Sequence, residues 1–159
     1  RIYQSSHSRL HSRYARSTYK LQQGNDLGQR MQQAIEQELA YSQRVLLIGS
    51  DCLGIQLDLI EKAFESLQHR RSVVFTPAND GGYVLVGMRQ ACPTLFTQIQ
   101  WGGSSVLAQS VKRAKQAGRK IALMPPLIDV DDYADIQQLR QPAILATLDS
   151  AAHAILRPL

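Results

Sequence analysis

The chain reads as a mixed α/β domain built on a largely parallel sheet, and three observations lead there. Two short apolar runs, Arg44-Val45-Leu46-Leu47-Ile48-Gly49 and Ser72-Val73-Val74-Phe75-Thr76, carry the branched residues of strands buried on both faces. Around them apolar residues recur at helical spacing: Leu27, Met31, Ala34, Ile35 and Leu39 before the first run, then Ile60, Ala63, Phe64 and Leu67 after it. Strands that alternate with helices mark crossover connections between parallel strands.

Each remaining element follows from local chemistry. Residues 1–16 are ambiguous: Ile2-Tyr3 is readable as the end of a strand and Leu10 to Tyr14 as a short helix. Ser17 to Gln22 suits a short strand. Asp26 is a good N-cap for the helix that follows it. Tyr83 to Gly87 is a third buried strand, bounded by glycines. Ser104 to Gln116 forms a helix with Val106, Leu107, Ser110, Val111 and Ala114 on one face and Gly118 as its stop. Lys120 to Leu123 is a further strand, halted by Pro125-Pro126. Asp131 or Asp132 caps the next helix, with Asp135 in its first turn. Pro142 opens a last amphipathic helix, 142–156.

A chain of 159 residues supports one real hydrophobic core, so residues 1–159 are read as a single domain. No apolar run reaches the length of a membrane span, and no secretory apolar region follows the basic N-terminus. A cytoplasmic protein without a membrane partner is expected. Cys52 and Cys92 lack metal-ligand spacing and read as reduced thiols. The net charge of +5 is uneven. Arg1, Arg9, Arg13, Arg16, Lys20 and Arg30 crowd the start, and Lys112, Arg113, Lys115, Arg119 and Lys120 a later stretch. Such groups attract phosphates, yet no aromatics interleave and no nucleic-acid motif is present, so nucleic acid is disfavoured as a partner.

The chemistry concentrates at the ends of the strands, where open α/β sheets bind ligands. Gly49-Ser50-Asp51 ends a buried strand. The glycine lets a ligand approach the backbone, and Asp51 offers oxygen to a hard divalent cation or caps the helix after it. In Asp129-Val130-Asp131 the two carboxylates point the same way if the segment is extended, so both reach one cation; helix capping is the competing role. Asp80-Gly81-Gly82-Tyr83 joins two strands, with Asp80 placed to receive hydroxyls and Tyr83 beside it, or forms an ordinary hairpin turn. Gln23-Gly24-Asn25-Asp26-Leu27-Gly28-Gln29-Arg30 runs into a helix N-terminus, whose amides and Arg30 suit an anion, or is a plain capped start. Trp101-Gly102-Gly103-Ser104 also precedes a helix and offers an aromatic wall or a buried anchor.

These motifs, in this order, resemble a bacterial family in the nucleotide-diphospho-sugar transferase superfamily, a domain of unknown function also called the radical-SAM/selenodomain-associated transferase family. The family's Gln-Gly-x-Asp-Leu-Gly-x-Arg-Met is matched by Gln23 to Met31, and its Pro-Ala-x-Asp-Gly-Gly-Tyr-x-Leu-x-Gly by Pro77 to Gly87. Its Gly-Ser-Asp-Cys-Pro-Gly is matched by Gly49 to Gly54 with Leu53 in place of proline. The Trp-Ser-Thr turn departs to Trp101-Gly102-Gly103, and the closing motif stands as Asp129 to Ile136. The resemblance covers about residues 17–140.

It implies a GT-A-like three-layer αβα sandwich with a mostly parallel mixed sheet, related to molybdenum-cofactor and phospholactate nucleotidyltransferases. By the same resemblance Asp51 with Asp129 or Asp131 holds Mg²⁺ or Mn²⁺. Asp51 and Asp80 are the catalytic candidates. Gly49, Ser50, Gly81, Gly82, Tyr83, Gln23, Gly24, Arg30 and Trp101 line the substrate. The expected activity is metal-dependent glycosyl or nucleotidyl transfer from a nucleotide-sugar or nucleoside triphosphate to a small-molecule acceptor. Family members begin with a strand and a Gly-x-x-Lys-Thr-Arg phosphate loop that nothing in residues 1–30 matches, so that strand and loop are expected to be missing. The exposed sheet edge then suits a homo-oligomer, and an inactive ligand- or partner-binding remnant is the alternative.

Overall fold

Two strands near the start, Ile2–Gln4 (β1) and Tyr19–Leu21 (β2), pair in parallel as a small sheet of their own. The computed structural model describes residues 1–4, 18–50, 52, 54–128, 136–137 and 139–145. Helix α1, Leu27–Leu39, follows β2 and leads to β3, Val45–Ile48. Asp26 caps α1 as expected: its Oδ1 accepts the Gln29 amide at 2.7 Å. Helix α2, Leu57–Ser66, then runs to β4, Ser72–Pro77. Gln56 gives α2 no side-chain cap, but Asp58 stands in its first turn and pairs with Lys62 one turn on.

The rest is β5, Tyr83–Met88; a single 3₁₀ turn, Pro93–Leu95; α3, Val106–Gln116; and β6, Lys120–Leu123. Gly118, at φ +68°, ends α3. Of the 142–156 helix, Pro142–Leu145 is helical and the remainder lies outside the described residues, as do Leu10 to Tyr14 and the caps Asp131 and Asp132.

The main sheet has the order β3–β5–β4–β6. β4 and β6 are parallel, and β5 runs antiparallel to both β3 and β4, so β3, β4 and β6 point one way. Alternation along β4 and β5 builds two cores. Val73, Phe75, Val86 and Met88 face Ile35 of α1 and Ala114 of α3, while Val74 and Leu85 face Ala63 and Leu67 beyond α2. That is a three-layer αβα sandwich around a mixed sheet. Gly87 sits mid-sheet between Leu46 and Val74, and a Cβ there would lie 2.2 Å from Leu46 Cδ2.

The small sheet is pinned to α1 by Glu38, which accepts from Tyr3 Oη and Lys20 Nζ at 2.9 Å and from Arg1 Nε at 3.2 Å. α1 connects the small sheet, in which β1 and β2 run parallel, to β3 of the main sheet. β3 is an edge of the main sheet. The Gly49 amide bonds the Val84 carbonyl, and from that rung the antiparallel alternation turns the amides of Leu46 and Ile48 toward the open edge. A cavity of about 220 Å³ lies between β1 and β3, lined by Tyr3, Ala34, Glu38, Val45, Leu46 and Leu47 among others.

Candidate functional site

The carboxyl ends of β3, β4 and β6 meet at one edge of the sheet, together with the start of antiparallel β5. Backbone bonds extend that convergence past the strands. Leu127 N–H donates to Pro77 O at 2.9 Å, and Ala78 and Leu127 form a parallel bridge. Cys52 Sγ donates to the Ile128 carbonyl at 3.7 Å, which joins the segment after β3 to the segment after β6. Asp51 and Asp129 are the chain neighbours of those two residues. Asp51, Asp129 and Asp131 themselves lie outside the described residues.

The Asp80-Gly81-Gly82 turn is tightly determined. Gly82 N–H donates to Asp80 Oδ1 at 2.7 Å, and Ala78 N–H to Gly82 O at 3.1 Å. Gly81 takes φ +94°, and its carbonyl accepts the Leu107 amide from the first turn of α3 at 3.0 Å. The turn thus leans on the start of α3, leaving exposed Asp80 with its second carboxylate oxygen free of the turn.

Tyr83 turns its hydroxyl inward and meets Phe75 edge-on, ring centroids 5.1 Å apart. Burial pushes its phenol far above the ordinary value. Ser110 works weakly the other way, yet neither hydroxyl finds a partner of good geometry. Tyr83 therefore contributes its ring as packing beneath the turn and stays protonated.

The Gln23–Arg30 loop leads into the N-terminus of α1. Much of its donor capacity is used internally: Asn25 N–H bonds Gln29 Oε1, Gln29 N–H bonds Asp26, and Arg30 Nε bonds Gly24 O at 3.2 Å. Trp101 is half-buried against α1; a Cβ on Gly28 would lie 2.7 Å from its Cζ2. Trp101 therefore ties the loop before α3 to the start of α1. Gly49 and Ser50 are exposed at the end of β3.

Beside the turn opens a cleft of about 490 Å³, lined by Gln56, Leu59, Asn79, Met124, Leu127 and Ile128 among others. The sequence reading did not single these residues out. Their one local signal is Pro125-Pro126, which stops β6 and lets the chain continue beside β4 rather than turn away.

A family model described as "Uncharacterized protein conserved in bacteria (DUF2064)" matches residues 4–103. The chain belongs to this family. Its fold is also that of a solved structure, a putative nucleotide-diphospho-sugar transferase from Desulfovibrio desulfuricans G20. The two share 31% sequence identity with a TM-score of 0.73, over 86% of this chain and 61% of that one. The chain therefore spans less than two thirds of that protein's length. No curated protein matches. The family match takes in four of the five motifs, from Gln23 to Gly103, and the sheet brings two of them, after β3 and between β4 and β5, to one edge. No helix among the described residues is long and apolar enough to cross a membrane.

Proposed function

We propose that this chain carries the site of a metal-dependent glycosyl- or nucleotidyltransferase that acts on a nucleotide-sugar or nucleoside triphosphate and a small-molecule acceptor. The observation that supports it most is the meeting of the β3, β4 and β6 ends, with Cys52 and Ile128 in contact beside two acidic motifs. Carboxylates at 51, 129 and 131 are the oxygen donors that Mg²⁺ or Mn²⁺ selects. When bound, the cation neutralises the di- or triphosphate. The protein's own part is positioning. The rigid Asp80-Gly81-Gly82 turn presents one Asp80 oxygen to an acceptor hydroxyl, and the cleft beside it holds the acceptor's body. The acceptor oxygen bonds to the transferred group, its proton passing to the Asp80 carboxylate, as the phosphate leaving group departs in line.

The resemblance also asks for a phosphate cradle, drawn from the same polypeptide or from a neighbouring chain. The groove between β1 and β3 is where such a segment could add to the open edge of β3.

Thermal unfolding with Mn²⁺ and a panel of nucleoside triphosphates and nucleotide-sugars tests the reading. A true ligand at a hundred times its Kd stabilises by about 2.7 kcal/mol, roughly 5–10 °C for a domain of this size. Asp51→Asn removes that gain. Equal stabilisation of the variant takes Asp51 out of the site. Stabilisation without turnover of any donor favours a binding module on the same fold, a reading in keeping with the internally bonded Gln23–Arg30 loop.

A further inference from the structure

We propose that the opposite edge of the sheet binds single-stranded polynucleotide through its phosphate backbone, a function separate from the transferase site. Every strand of the main sheet carries a cation at this edge. Arg44 immediately precedes β3, Arg89 immediately follows β5, Arg71 immediately precedes β4, and Lys120 opens β6. The strand order sets their backbone positions in a row, Arg44–Arg89–Arg71–Lys120, with the Arg71 guanidinium beside Gly118 at the end of α3. The pairings Val45 with Met88, Met88 with Val73, and Ser72 with Lys120 keep the strand ends level. At ~4.8 Å between neighbouring strands the row spans about 14 Å. At the ~3.4 Å rise of one duplex strand four successive phosphates span about 10 Å, so the row is long enough to meet four.

Carboxylates are sparse along this edge, although Glu38 lines the β1–β3 cavity together with Arg44. From residue 66 to residue 128 the sequence has eight lysines and arginines and one carboxylate, Asp80, which lies at the other edge. The ion pairs among the described residues engage Arg1, Lys20 and Lys62, none of them in the row. Two of the guanidinium groups are pre-set by a single bond to the main chain, one in the last turn of α2 and one just beyond it. Arg44 Nη1 donates to Phe64 O at 3.1 Å and Arg89 Nη1 to Gln68 O at 2.8 Å. Each keeps other N–H donors for a phosphate, at a reduced entropic cost of ordering.

The chain sets an aromatic residue close in sequence to the end of the row. Tyr41, in the loop between α1 and β3 three residues before Arg44, is 80% exposed. A solvent-facing aromatic beside a line of cations is the arrangement on which unstacked bases rest. It also separates this partner from an anionic membrane, which needs apolar side chains to bury. The other exposed large hydrophobic residues, Leu21, Leu27, Ile48, Leu57 and Leu123, stand at the ends of parallel strands or the starts of helices, on the edge of the transferase site.

Fluorescence anisotropy with fluorescein-labelled (dT)12 and (rU)12, from 50 to 200 mM NaCl, tests the proposal. Four phosphate contacts at ~0.7 each predict a log–log salt slope of about −2.8, an affinity loss of roughly fiftyfold over that range. Arg71→Glu combined with Lys120→Glu lowers affinity more than tenfold and flattens the slope by about 1.4. Tyr41→Ala lowers affinity roughly tenfold and leaves the slope unchanged. Lys62→Glu, distant from the row, changes binding less than twofold. Melting temperatures of the variants establish that all remain folded, and the slope of the unmodified protein stands without any variant. Absence of binding at 50 mM NaCl overturns the proposal, as does equal behaviour of the double variant and Lys62→Glu. Equally tight capture of heparin or phosphatidylserine vesicles, with Tyr41→Ala indifferent, also overturns it.

Discussion

Gly81 and Leu107 are joined by a 3.0 Å hydrogen bond from the amide of one to the carbonyl of the other, and this bond seats the candidate acceptor turn on the first turn of α3. A Cβ on Gly81 would lie 2.0 Å from the Ser104 carbonyl oxygen, and φ there is +94°. Gly81→Ala therefore meets both a steric and a conformational penalty, and a backbone neighbour cannot rotate aside. Loss of roughly 1–3 kcal/mol in urea unfolding is expected. Acceptor-side binding should fall more than the binding of metal and nucleotide. Wild-type stability in the variant would show that the turn is not seated in this way.

Gly87 makes a different demand. It stands opposite Leu46 on one side and Val74 on the other, in a strand flanked by two partners. Gly87→Ala forces Leu46 or the β3–β5 spacing to shift, at about 1–3 kcal/mol. Leu46→Ala in the same chain should recover part of that loss, and a double-mutant cycle measures the coupling. Strict additivity of the two substitutions would contradict the packing.

Acid should release the small sheet before the main one. Burial works to raise the pKa of Glu38, but its bonds to Lys20 and Tyr3 and its attraction to Lys20 and Arg1 win, and the net displacement is downward from 4.5. A carboxylate lowered on folding contributes stability that is present above its unfolded pKa and lost as pH falls through the folded one. Lys20 is displaced upward, chiefly by its bond to Glu38, so its contribution is lost only as pH rises past the ordinary lysine range. Amide exchange at Tyr19–Leu21 should therefore quicken below about pH 4.5. Glu38→Gln should abolish that acid limb and leave Val73–Thr76 unchanged. An acid limb that survives in Glu38→Gln would move the cause elsewhere.

The strands and helices were legible because burial writes itself into periodicity. Val45–Ile48 and Ser72–Pro77 form where the continuous apolar runs predict them, and Asp26 caps α1 as its side chain suggests. The direction of β5 was not legible. A strand covered on both faces looks the same whichever way it runs, and only the Asp80-Gly81-Gly82 turn hinted at a hairpin. The start of α2 shows a second limit: Gln56 offers no side-chain cap, and the helix forms with Asp58 in its first turn. At the site, glycines announced the turns. The partners that fix them, Ser104 O and the Leu107 amide, are main-chain groups that every residue possesses, so no side-chain pattern marks them. The Gln23–Arg30 loop reads equally as anion cradle or capped helix from sequence. The bonds of Asn25, Gln29 and Arg30 show how much of its donor capacity turns inward.

The groove between β1 and β3 also divides the molecule thermodynamically. No ladder of hydrogen bonds crosses it among the described residues, so the two sheets share α1 rather than a common cooperative framework. A ribbon of two three-residue strands, bonded to α1 through Glu38 and Gln37, can open sub-globally, at a small fraction of the free energy that frees Phe75 or Val86. Hydrogen exchange should then resolve two cooperative units within a single domain, with α1 in the slow one and β1–β2 in the fast one. Anything that bridges the groove with main-chain bonds would merge them, and the merger would register as protection at Ile2–Gln4 long before it changed the melting temperature.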